Sequence, residues 1–130
     1  MYSVEVTDRG GYLFNIRSGE YEFTVDAKAS GEGITPPDTL LAALGSCIGV
    51  YIRKYAEGAR LEIEGFKVTV KSDFCKEGPV SFKSIEVSID MKDTGLDERR
   101  RKALLEFIKN CPVHNTLAGN PKIDIRIGKV

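Results

Sequence analysis

Residues 35–58 read TPPDTLLAALGSCIGVYIRKYAEG, and this stretch decides the fold. Leu40, Leu44, Cys47, Tyr51 and Tyr55 recur at spacings of three and four, which a 3.6-residue period places on one face of a helix. Leu41, Ile48 and Ile52 broaden that face. Ala42, Gly45, Ser46 and Gly49 form a second strip of small residues at the same period. A glycine inside a helix costs on the order of 1 kcal/mol against alanine. Gly45 and Gly49 therefore predict a close approach to the backbone, by a second helix of the same chain or of a partner. Thr35 and Asp38 form a T-x-x-D capping pair, and Pro36 and Pro37 occupy first-turn positions where a missing N–H costs little. Gly58 is the expected C-terminal glycine. The result is one long helix with Cys47 near its middle, on a rigid and mostly buried support.

Working outward, the whole chain has 130 residues, enough for a core without disulfide or metal support, and reads as a single domain over residues 1–130. Lysine plus arginine balances aspartate plus glutamate, and the formal net charge is zero. Nothing in that balance favours nucleic acid or a membrane surface as a partner. No apolar run has spanning length and no leader pattern opens the chain, so the expectation is a cytoplasmic protein. Three cysteines, one histidine and no C-x-x-C argue against a disulfide framework and against a metal site. A redox or nucleophilic cysteine pair stays open.

Before the helix, Tyr2, Val4 and Val6 alternate in a first strand, and Arg9-Gly10-Gly11 turns the chain. Tyr12, Phe14 and Ile16, then Tyr21, Phe23 and Val25 after Ser18-Gly19, predict two further strands. Residues 27–34 form a small-residue loop. After the helix, Leu61 and Ile63 give way to Phe66, Val68 and Val70 in the opposite phase, which predicts a strand with a β-bulge at Gly65. Residues 74–81 read as a loop, and Ile85, Val87, Ile89 and Met91 as the strand that pairs back. Asp97 caps a second helix to about Lys109 whose cationic run Arg99 to Lys102 reads as a solvated face. Pro112 opens a short helix with Cys111 at its N-cap, and Ile123, Ile125 and Ile127 alternate in a closing strand. The order β-β-β-α-β-β-α-β with segregated helices predicts an α+β fold with antiparallel sheet.

Each cysteine has a plain reading beside a chemical one. Cys47 lies too far from either helix end to gain from the dipole, and a cysteine on an apolar face is commonly just a small core residue. Cys111, at a helix N-terminus, stands where a thiolate meets free N–H groups, a recognised route to a lowered pKa; the plain reading is that it caps or packs. Cys75, in a loop, has no partner signal. His114 follows Cys111 by three residues, so a Cys/His dyad is to be weighed against a surface histidine.

Two boxes now coincide with a known family. The segment from Pro37, Pro-x-x-Leu-Leu-x-Ala-Leu-x-Ser-Cys, and the Cys-Pro-Val-His-Asn-Thr-Leu at Cys111 to Leu117 resemble the two cysteine boxes of the OsmC/Ohr family, and the likeness covers nearly the whole chain. The resemblance implies an OsmC-like fold in an intertwined homodimer, and peroxide reduction by a peroxidatic cysteine, matched by Cys47, with a resolving one, matched by Cys111. It also implies an arginine that stabilises the thiolate, with Arg9 first and Arg17 next, and a carboxylate that orients it. Asp38 is nearest that place, one position later and one carbon shorter than the family's glutamate. Leu44, Ile48 and Tyr51, around Cys47, would meet an apolar substrate. No cofactor is expected beyond an external dithiol reductant. The leading expectation is thus a thiol-dependent peroxidase acting on organic hydroperoxides, with hydrogen peroxide as a further substrate. The alternatives are a relative that binds a small apolar ligand or transfers acyl or sulfur groups, and a dimeric scaffold whose cysteines are core residues.

Overall fold

Thr35 starts the long helix α1 (Pro36–Gly58) as the capping pair requires. Its hydroxyl donates to Asp38 Oδ2 at 2.8 Å and accepts from the Asp38 amide at 3.3 Å. The computed structural model describes residues 1–92 and 94–128, and the chain divides into two compact units, Met1–Ala43 and Leu44–Val130. The division falls inside α1.

The first unit is an antiparallel meander of β1 (Glu5–Asp8), β2 (Leu13–Ser18) and β3 (Tyr21–Asp26), in that spatial order. The ladder starts at Glu5, so Tyr2 and Val4 precede it. Ser18 pairs with Tyr21 across a two-residue turn in which Gly19 has φ +60°, the place where a type II′ hairpin favours glycine. Behind β3, Asp26 is buried and its carboxylate organises the following loop. Oδ1 accepts from the Lys28 amide at 3.0 Å, and Oδ2 accepts from the amide and hydroxyl of Ser30 at 2.7 and 2.6 Å. These donors, the Ser30 hydroxyl foremost, hold the Asp26 pKa below its ordinary value.

The second unit packs α1 against a two-stranded antiparallel sheet and two further helices. Strand β4 (Lys67–Lys71) pairs with β7 (Glu86–Asp90); between them the small hairpin β5 (Phe74–Cys75) and β6 (Ser81–Phe82) is closed by stacked Phe74 and Phe82 rings, 4.7 Å apart. Helix α2 (Glu98–Ile108) is capped by Asp97, which accepts from the Arg100 amide at 2.8 Å, and α3 (Pro112–Ala118) follows with Cys111 as its N-cap. The buried row of α1 is Leu44, Ile48, Ile52 and Ala56, joined in the core by Ile63, Leu96, Leu104, Ile108 and Cys111. Fully burying each large aliphatic side chain contributes roughly 1.5–3 kcal/mol. Two flanks border that row. On one, Tyr51 and Tyr55 each place a ring 5.9 Å from Phe107 of α2. On the other, a Cβ built on Gly45 would lie 3.0 Å from Val70 Cγ2, and one on Gly49 would lie 3.8 Å from Phe66. Within this unit Gly45 meets side chains of β4 and Gly49 meets Phe66 just ahead of that strand, where the sequence suggested a second helix.

Three other expectations change. Residues 61–66 lie outside any strand, and Gly65 at φ +71° is a turn; a bulge needs a partner strand, and none is paired there. The loop expected at 74–81 contains the β5–β6 hairpin, too short for alternation to reveal. The closing strand is not formed: residues 121–127 carry no ladder, and Ile123, Ile125 and Ile127 are exposed at 77%, 87% and 103%. An alternating segment becomes a strand only when a neighbour takes up its backbone groups. The order among the described residues is therefore β-β-β-α-β-β-β-β-α-α, an α+β fold with small antiparallel sheets. Arg99, Arg101 and Lys102 are exposed, as a solvated face requires, whereas Arg100 is half-buried and turns one guanidinium nitrogen inward. Among the described residues no helix is long and apolar enough to cross a membrane.

Candidate active site: a cysteine pair between two helices

The apolar face of α1 carries Cys47, half-buried, against the core; the Cys-Pro step at 111–112 sets Cys111 as the cap of α3, fully buried. Both are free thiols, and Cys47 packs against the core cluster that contains Cys111, close enough to influence its ionisation. Residues 64 positions apart in sequence are thus brought together because α1 and α3 share one core. The Cys111 sulfur also accepts the His114 amide at 3.5 Å.

The electrostatics decide between the sequence readings. Of the two readings of Cys111, a readily ionised thiol at a helix N-terminus or one that caps and packs, the second fits, because the Cys111 pKa is raised. Burial is the first cause, since a thiolate sealed in an apolar core loses its hydration; the Cys47 side chain nearby is the second, because it favours the protonated Cys111 donor. The His114 amide pulls the other way and is outweighed. A negative charge on Cys47 would further oppose one on Cys111. Cys111 is therefore held as a thiol near neutrality.

The other expected residues fall as follows. Leu44 and Ile48 are core residues at 4% and 3% exposure, and Tyr51 is half-buried, with Lys54 Nζ 4.8 Å from its ring centroid. Arg53 donates to the Ile63 carbonyl and lies over Phe66, so both cations on the second half of α1 are engaged away from the sulfur. In the first unit, Arg9 Nη1 donates to Thr24 Oγ1 at 2.9 Å, Arg17 is ion-paired with Glu22, and Asp38 accepts from Thr35. Cys75 is half-buried in the β5–β6 hairpin opposite Ser81. His114 turns its ring outward, with Nδ1 3.0 Å from Asn115 Oδ1, while its backbone serves Cys111.

The sequence did not disclose a cavity of about 270 Å³ walled by Leu44, Phe82, Ile85, Val87 and Leu117, with Lys83, Ser84 and His114 in its polar lining. Leu44 lies one turn before Cys47, and His114 one turn after Cys111. The cavity draws on three separate segments, so no local motif marks it; the one available signal was His114 three residues beyond Cys111.

The OsmC-like protein family matches residues 29–126, a span that includes both cysteines. The chain belongs to the OsmC-like family. Among solved structures, an OsmC-like protein from Mycoplasma pneumoniae is similar with a TM-score of 0.82 at 22% identity, over 92% of this chain and 88% of that one. The organic hydroperoxide resistance protein OhrB of Bacillus subtilis gives 0.67 at 23% identity, over 92% and 93%. An organic hydroperoxide resistance protein OsmC from Legionella pneumophila gives 0.65 at 20%, over 92% of each chain. At these identities the likeness establishes the OsmC-like fold. A comparison with curated proteins finds no match.

Proposed function

We propose that this OsmC-like protein is a thiol-dependent peroxidase that reduces small organic hydroperoxides through Cys47 and Cys111. The observation that carries the reading is the proximity of a half-buried thiol on α1 to a buried thiol held protonated at the cap of α3. The Cys47 thiolate attacks the terminal peroxide oxygen, the O–O bond breaks, and the organic part leaves as an alcohol after taking up a proton. Cys47 is then a sulfenic acid. The Cys111 sulfur attacks it, its proton leaves with the hydroxyl as water, and a disulfide closes. One hydroperoxide and two thiols give one alcohol, one water and one disulfide, which an external dithiol reduces. Keeping Cys111 neutral while Cys47 waits for substrate leaves a single nucleophile. Two structural relatives are named for organic hydroperoxide resistance, which agrees with this chemistry. Arg9 is the proposed partner of the Cys47 thiolate and Asp38 its orienting carboxylate, with Leu44, Ile48 and Tyr51 forming the apolar surround. The working form is proposed to be a cytoplasmic homodimer.

The test is consumption of cumene hydroperoxide with excess dithiothreitol. Cys47→Ser should abolish it, and Cys111→Ser should give about one turnover and then a Cys47 that over-oxidises. Serine is itself a favoured N-cap, so the second variant keeps the start of α3. Undiminished turnover by Cys47→Ser would overturn the proposal.

A further inference from the structure

Another cavity lies between α2 and the end of β7, and no cysteine lines it. Its volume of about 310 Å³ is at the lower end of small-molecule pockets, roughly 300–1,000 Å³. Ile89 and Met91 wall it from the strand side, and the buried Leu96 and Leu104 reach it from the core. The α2 side follows from helical spacing. Residues 101, 104 and 105 are three and four apart, so Arg101 shares one face of α2 with Leu104 and Leu105.

The run from Arg99 to Lys102 is therefore not one uniform solvated patch: Arg101 is the member that lines the cavity. Its guanidinium has no ion-pair partner among the described residues. The acid on the rim, Asp90, is already engaged. Its Oδ1 accepts from the Lys92 amide at 2.9 Å, and its Oδ2 lies 3.2 Å from Lys92 Nζ. With that pair balanced, the lining keeps one positive charge, on Arg101. A guanidinium is a flat fork of donors that matches a carboxylate by two parallel hydrogen bonds. The same plane stacks on aromatic faces, and a methionine thioether such as that of Met91 favours ring edges. The other walls offer only aliphatic side chains, so the rest of a fitting ligand is apolar.

We propose that this cavity binds a small aromatic carboxylate, with the charge on Arg101 and the ring against Met91 and Leu104. Binding there does not depend on the peroxide chemistry, since the cysteines stand outside the lining.

The experiment titrates the reduced protein by calorimetry with 2-naphthoate and with 2-naphthalenemethanol, a neutral probe carrying the same rings. Naphthoate should bind about tenfold more tightly. Arg101→Gln should erase that preference while the alcohol still binds, which also shows that the variant is folded. Arg101→Lys keeps the charge without the planar fork and should restore only part of the preference. Arg99→Gln, on the solvated side of the same run, should leave it intact. An equal loss in Arg99→Gln would reduce the effect to general charge and overturn the site. Equal affinity for the two probes, or no naphthoate binding, would overturn it as well. Octanoate binding as tightly as naphthoate would overturn the aromatic assignment. The Cys47→Ser, Cys111→Ser double variant should bind naphthoate unchanged; altered binding there would move the probe to the cysteine pair and overturn this site. Failure of the peroxidase reading shows separately, as hydroperoxide consumption that survives Cys47→Ser.

Discussion

At the scale of one residue, Cys111 shows how competing effects are ranked. Its sulfur has the helix-cap position that eases ionisation, but the cap supplies one long hydrogen bond from His114, whereas the core removes all hydration. Burial wins. Native Cys111 should therefore resist iodoacetamide past the ordinary thiol value of about 8.5, and react normally once the chain is unfolded in urea; a Cys75→Ser background with peptide mapping resolves the sites. The sign for stability follows. A thiol whose folded pKa is raised contributes its full stability below the unfolded value, and that contribution is lost as pH rises from there through the folded value. The urea midpoint should fall between pH 7 and pH 10 in the native sequence, and fall less in Cys111→Ser. The two cysteines were legible from their boxes. The direction of the Cys111 shift was not, because a cap is a local signal and burial depends on a core to which Leu44, Ile52 and Ile63 come from elsewhere in the chain.

At the scale of an element, α1 was readable because its start and its apolar period are both local. What its small-residue strip touches was not, since Val70 and Phe66 come from beyond the helix. The two glycines should behave differently. Gly45→Leu forces a side chain into Val70 and should cost about 1–3 kcal/mol. Gly49→Ala has ordinary space beside Phe66 and should gain up to about 1 kcal/mol from helix propensity. Chemical denaturation of both variants checks this, and the same sign for both would contradict the packing described. The end of α1 holds another surprise. The Leu61 amide bonds to the Ala56 carbonyl at 2.8 Å and the Arg60 amide to Glu57 at 3.2 Å, a Schellman closure whose left-handed position is Arg60, at φ +55°, rather than Gly58. Arg60→Gly should stabilise the chain by about 1 kcal/mol, read as a raised melting temperature, because a side chain in that conformation costs roughly 1–2 kcal/mol.

At the scale of the whole molecule, alternation at Ile123, Ile125 and Ile127 announced a strand, and the alternation is real. A sequence shows which residues want a sheet but not whether the sheet is within the same chain. Here 121–127 finds no neighbour among the described residues, and Val6, Tyr21 and Phe23 of the meander are exposed as well. Both are surfaces a second copy could cover. Sedimentation at micromolar concentration should show a dimer, and Ile125→Lys should shift it towards monomer without unfolding the Leu44–Ile108 core; a wild-type monomer would contradict the assembly.

The exposed isoleucine segment bears on how long the protein lasts in a cell. An exposed, unpaired stretch is what a protease needs, and under the proposed dimer it would stay available until another copy concealed it. Pairing is second order in concentration, so newly made chains at low abundance would spend longer open to cleavage than those made in a burst. The lifetime of the protein would then rise with its own supply: a slow trickle of synthesis would be trimmed away, and a rapid surge would persist.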